Sequence, residues 1–253
     1  MQLAIDIGAE AADAAVQGLD FSSLARDDLL NLILQRSEVM FDRPRSGTVI
    51  RAWKARDEAP INAVIDDLGL NVARRAAGVI RAEYRALRPL LAELAPKRVA
   101  DIGCGYALFD LFLARDLNAQ LLLIDLESNE RRHFGFAMEG AAYSSLAVAR
   151  ALLEANGVAS DRITTLNPRE TAPETAGPVD LAVSFLSCGF HYPVDLYIPF
   201  LETALAPNGS AIFDLRETSA AEQADKLAKL GTLTDLPAPP KARRVLLRKG
   251  GSA

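Results

Sequence analysis

The residues that can do chemistry in this sequence fall in two stretches. The first is Val99-Ala100-Asp101-Ile102-Gly103-Cys104-Gly105-Tyr106, in which an apolar run carries an acid into a glycine turn. A helix-like apolar pattern follows (Leu108, Leu111, Phe112, Leu113), then a second apolar run, Leu121 to Ile124, that ends in Asp125. Strand, glycine turn, helix, strand and acid make the first half of a nucleotide-binding βαβ unit. A dinucleotide asks for a third glycine three residues after Gly105, so that the helix N-terminus can approach a pyrophosphate. Leu108 stands there, which weakens that reading and leaves a nicotinamide oxidoreductase as an alternative.

The second stretch is Leu186-Ser187-Cys188-Gly189-Phe190-His191-Tyr192-Pro193. An imidazole with an ordinary pKa of about 6.5 suits removal of a proton from a hydroxyl that attacks an electrophilic carbon. The chain has only two histidines, His133 and His191, and both fall on loops at the carboxyl edge of the expected sheet. His191 and Tyr192 are therefore the candidate catalytic residues. The alternative is that His191 bonds backbone to fix a tight loop while positioning alone promotes the reaction.

The first stretch resembles motif I of the class I S-adenosylmethionine (SAM)-dependent methyltransferases, and the resemblance runs in order from residue 98 to about residue 250. Through Phe134-Gly135-Phe136, Tyr143 to Leu146 and Leu186 to Pro193 the chain is similar to bacterial sugar or small-molecule methyltransferases. The family implies a Rossmann-like three-layer αβα sandwich on a seven-stranded, mostly parallel sheet of order 3-2-1-4-5-7-6, its seventh strand antiparallel, here with a helical N-terminal extension. It implies SAM as cofactor and S-adenosylhomocysteine (SAH) as product. Asp101, Gly103, Gly105 and Asp125, flanked by Cys104 and Tyr106, would hold the amino-acid and ribose ends, with Leu126 and Asn167 at the adenine and Phe185, Leu186 and Ser187 on the methyl side. Amino-methylating members carry an Asn/Asp-Pro-Pro-aromatic signature after the fourth strand. Its absence here, with a histidine nearby, points to an oxygen acceptor on a carbohydrate or other polar small molecule.

These residues need a scaffold, and the sequence divides it into a helical N-terminal region, residues 1–95, and a SAM-binding domain, residues 96–253. Leu24, Leu29, Leu30, Ile33 and Leu34 recur at helical spacing, with Asp20 to Ser23 as capping side chains. Arg43-Pro44-Arg45-Ser46-Gly47 interrupts regular structure. Val72, Ala76, Val79, Ile80, Tyr84 and Leu87 form the stripe of a further helix that Pro89 ends or kinks. The resemblance implies that such helices cover the carboxyl edge of the sheet; contact between two copies in a homodimer is the other reading. The basic residues around Trp53 (Arg43, Arg45, Arg51, Lys54, Arg56) suit either an anion site or a solvated loop. Glu127 to Tyr143 is a long loop at the edge where open α/β sheets bind ligands, and its Arg131, His133, Phe136 and Tyr143 are candidate substrate contacts, as are Trp53 and Arg216. Pro207-Asn208-Gly209 reads as the turn into the fifth strand.

The chain has 253 residues, half of them hydrophobic, enough for a sizeable core. A net charge of -5 argues against a nucleic-acid partner that relies on a basic face, although an rRNA or tRNA methyltransferase and a non-catalytic SAM-binding protein stay as alternatives. No run approaches the length of a membrane span, and the N-terminus lacks a signal-peptide pattern. With only Cys104 and Cys188, a reduced, cytoplasmic setting is expected, and no metal.

Overall fold

In the computed structural model, which describes residues 3–127 and 144–250, the apolar runs become strands β1 (Arg98–Ile102), β2 (Gln120–Ile124), β3 (Ile163–Leu166), β4 (Val179–Ser184), β5 (Leu205–Arg216), β6 (Gly231–Leu236) and β7 (Ala242–Lys249). They form one sheet of order β3-β2-β1-β4-β5-β7-β6, in which β7 runs antiparallel to β5 and β6 and the other pairings are parallel. Val99 to Ile102 and Leu121 to Ile124 are buried throughout. Covered on both faces, these strands have no polar side to alternate with, which is why they read as continuous apolar runs.

The N-terminal region builds α1 (Ile7–Ala12), α2 (Ala14–Gln17), α3 (Arg26–Gln35), α4 (Ser46–Lys54), α5 (Ala59–Leu68) and α6 (Asn71–Leu94). The rest adds α7 (Leu108–Asp116), α8 (Leu146–Ala155), α9 (Ile198–Thr203) and α10 (Ala220–Leu227). Alternate strand side chains sort these into two layers. Val99, Leu121, Leu123 and Val183 pack with the N-terminal helices, α7 and α8, whereas Ala100, Leu122, Ala182 and Phe213 pack with α9 and α10. The apolar core of residues 1–95 is thus continuous with one face of the sheet.

Four local expectations are refined. Of the two outcomes expected at Pro89, an end is ruled out, since α6 continues to Leu94; buried Leu87 and Leu91 grip the core on either side of the missing hydrogen bond and hold the helix across it. Asp20 to Ser23 do not cap α3. Its N-cap is Ala25, whose N–H donates to Asp28 Oδ2 (2.7 Å), while the backbone of Asp20 is bonded to the Asn156 side chain at the end of α8. Pro207-Asn208-Gly209 lies within β5 as a bulge: Val179 pairs with Leu205 but Leu181 with Ser210, and Asn208 takes a left-handed φ of 65°. The basic segment also holds more regular structure than Pro44 suggested, since α4 begins at Ser46, and Arg43 is ion-paired with Asp67 on α5. No helix among the described residues is long and apolar enough to cross a membrane.

Candidate functional site

After β1 the chain turns through Gly103 (φ 74°) and Gly105 (φ 58°). The Gly103 N–H donates to Ile124 O (2.7 Å), and the Gly105 N–H donates to Asp125 Oδ2 (2.8 Å), whose Oδ1 accepts the Leu126 N–H (2.7 Å). Asp125 thereby locks the glycine turn to the end of β2. A Cβ on Gly103 would fall 1.8 Å from Ser187 Oγ, so the position excludes a side chain by contact as well as by φ.

The loop after β4 forms the facing wall and is tightly braced. Ser184 Oγ donates to Ile102 O (2.7 Å) and accepts the Cys188 N–H (2.9 Å). The His191 N–H donates to Ser187 O (2.7 Å), and the Gly189 N–H donates to Tyr192 O (2.7 Å). From α10, Gln223 donates to Gly189 O (2.7 Å) and accepts the Val194 N–H (3.0 Å). Arg216 donates to Phe190 O (2.6 Å) and stacks on the Phe190 ring at 4.5 Å. Tyr192 OH lies 3.1 Å from Ser187 Oγ. Burial pushes the Tyr192 phenol up, along with both cysteine thiols, so all three stay protonated near neutrality and Tyr192 serves as a hydrogen-bonding group rather than a base.

These walls enclose a cavity of about 550 Å³ at the carboxyl edge of the sheet. Asp101, Gly103, Cys104, Gly105, Tyr106, Asp125, Leu126, Phe185, Leu186, Ser187, His191 and Tyr192 all line it. Asn167 does not. Its amide donates to Glu170 (3.0 Å) and its carbonyl accepts the Arg169 N–H (3.1 Å), and the next two residues, Pro168 and Arg169, reach the cavity instead. Trp53 packs half-buried against the core, and Arg216 is held at Phe190; neither lines the cavity. Arg131, His133, Phe136 and Tyr143 lie outside the described residues.

The sequence reading missed a whole wall, contributed by Gln35 and Arg36 at the end of α3 and by Ile80 and Glu83 on α6. Tyr106, in the glycine turn, anchors α3 there: its hydroxyl accepts from Asn31 (2.9 Å) and donates to Asp28 (2.7 Å). Arg36 grips Glu83 with two hydrogen bonds (2.7 and 3.2 Å), Glu83 lies 3.6 Å from Arg244, and Arg244 grips Asp214 with two more (2.7 and 2.8 Å). Burial alone would raise Glu83, but Arg36 and Arg244 together outweigh it and hold the carboxyl below its ordinary range.

The glycine-turn wall is built differently. Burial, then the neighbouring Asp110 carboxyl, pushes Asp101 well up; burial also pushes Asp110 and Asp125 up to about 6. Among the described residues no basic side chain is paired with any of the three. Asp110 sits in the first turn of α7, where a pyrophosphate would otherwise be received.

No protein-family model and no curated protein matches the chain. Among solved structures it is similar to a methyltransferase from Geobacter sulfurreducens (17% identity over 66% of this chain and 78% of that one, TM-score 0.48). It is also similar to the O-methyltransferase TomG from Streptomyces achromogenes in complex with SAM (14%, 66% and 80%, 0.47) and to an O-methyltransferase from Bacillus cereus in complex with SAH (13%, 66% and 80%, 0.48). The strand order and the reversed β7 define a Rossmann-like fold of the methyltransferase type.

Proposed function

We propose that this protein is a SAM-dependent methyltransferase that methylates an oxygen of a carbohydrate or other polar small molecule. The observation that carries the cofactor is the set of three carboxyl groups, Asp101, Asp110 and Asp125, around a glycine turn with no basic side chain among the described residues paired to them. They would repel a pyrophosphate and attract a ligand that carries positive charge. SAM, when bound, supplies an electrophilic methyl on a sulfonium centre. Asp101 would hold its ammonium end and Asp125 its ribose, beside the glycine turn on which Ser187 and Gln35 close.

The oxygen acceptor rests on the loop after β4. His191 lines the cavity on a loop clamped by Ser187, Arg216 and Gln223, so the imidazole is carried by a fixed backbone. There it takes the hydroxyl proton as the acceptor oxygen gains positive character. The Cys188 thiol and the Tyr192 phenol are kept protonated by burial, which leaves His191 as the candidate base on this loop. The test is transfer of a labelled methyl from SAM to a panel of hydroxylated acceptors. His191→Ala is expected to lower kcat by about 10²–10⁴-fold with SAH affinity unchanged. Full activity of the variant would reduce His191 to a loop-fixing residue.

A further inference from the structure

Asp110 is an unusual residue to find where it is. Its side chain is fully buried in the first turn of α7, and among the described residues its carboxyl meets only the Asp101 carboxyl and its own backbone N–H, with no cation beside it. A carboxylate in that condition is costly unless it holds a proton or receives a cation. Its neighbour is Asp101, which is itself buried but lines the cavity. Among the described residues the titratable groups that face the pair are Asp125 from the end of β2 and the Cys104 thiol from the glycine turn, neither of which brings positive charge. The charges that α3 and α6 contribute to the cavity, Arg36 and Glu83, are bonded to each other.

We propose that Asp101 and Asp110 act as one unit that shares a proton in the free protein and gives it up when a ligand ammonium becomes its counter-charge. The proposal rests on the cofactor reading and adds to it a residue, Asp110, that touches no ligand and sets the charge of the one that does. The balance is simple. The pair begins with one proton and one negative charge; it ends with two carboxylates facing one ammonium, and the proton leaves to solvent. Asp110 is a positioning residue in this scheme, because it acts through Asp101. Cofactor binding is then linked to pH through groups that sequence position alone would assign to the core of α7.

The test is isothermal titration calorimetry near neutral pH in phosphate and in Tris, whose different ionisation enthalpies reveal protons exchanged on binding. SAH, which carries an ammonium, is expected to release about one proton from the wild-type protein. 5′-Methylthioadenosine, which keeps the nucleoside and lacks the amino-acid end, is expected to bind more weakly and release none. Asp110→Asn, close in size, is expected to bind SAH without the release. The two-ligand comparison needs no variant, so it decides the matter even if Asp110→Asn fails to fold. SAH binding with the same heat in both buffers, or equal proton release from both ligands, overturns the proposal and leaves the cofactor reading standing. Failure of the wild type to bind either ligand overturns both.

Discussion

Glu83 in the N-terminal wall and Asp110 behind the glycine turn are both carboxylates withdrawn from water at the edge of one cavity, yet among the described residues only Glu83 is given cations. Arg36 and Arg244 neutralise it within the protein, and through Asp214 they tie α3, α6, β5 and β7 into one buried chain of charge. Among the described residues Asp110 receives no cation, only the Asp101 carboxyl and its own backbone N–H. The contrast separates two uses of buried charge. A group whose partners are supplied by the chain fixes the architecture, whereas a group left without them is available to respond to a ligand.

The contrast can be broken most forcefully at Glu83. Glu83→Ala removes the buried partner of Arg36, leaving it only the 3.4 Å contact with Glu38, and takes one of two carboxylates from Arg244, so it is expected to destabilise the fold by about 3–5 kcal/mol in denaturant titrations. A loss below about 1 kcal/mol, the range of an exposed pair, would show that the network is solvated. Next in size is a pH effect of opposite sign at the two sites. Asp110 has a folded pKa of about 6 against an ordinary value of 3.8, so between about pH 4 and pH 6 the unfolded chain ionises first. Its contribution to stability is present below that window and falls as pH rises through it, by on the order of 3 kcal/mol. Glu83, held low, contributes stability above the ordinary carboxylate range and loses it as pH falls. Stability curves of wild type and Asp110→Asn should therefore converge near pH 4, with the variant ahead near pH 7; parallel curves would contradict the shift.

A smaller effect belongs to the glycine turn. Gly103→Ala imposes a left-handed φ on alanine and a collision with Ser187, for an expected cost of about 1–3 kcal/mol, of which Ser187→Gly should restore the steric part. Additive single and double variants would mean that the contact does not form. At the bottom of the scale, Arg51→Ala on the exposed side of α4 is expected to change neither ligand affinity nor stability beyond a few tenths of a kcal/mol, since none of the basic residues around Trp53 lines the cavity.

The sheet was legible because its strands are continuous apolar runs punctuated by glycine and acid, and the cofactor-side wall was legible because it is contiguous with them. The N-terminal wall was not, since Gln35, Arg36, Ile80 and Glu83 meet only after α3 and α6 fold against the sheet. A signal was nevertheless present: Glu83 stands beside Tyr84 on the apolar stripe of α6, and Asp110 interrupts Leu108-Phe109 and Leu111-Phe112-Leu113. A charge inside an otherwise apolar run is a buried charge, and its partner must be looked for elsewhere in the chain. Asn167 shows the converse error, because a position inferred by counting from a strand says nothing of which side chain a local hydrogen bond to Glu170 will claim.

The most direct test of the central claim is calorimetric titration of the wild type and Asp125→Ala with SAH and with NAD+. The expected result is SAH binding by the wild type, no NAD+ binding, and at least a roughly tenfold weaker SAH affinity in Asp125→Ala, as loss of hydrogen bonds to a charged carboxylate requires. A wild-type protein that binds NAD+, or that binds no SAH at all, would contradict it.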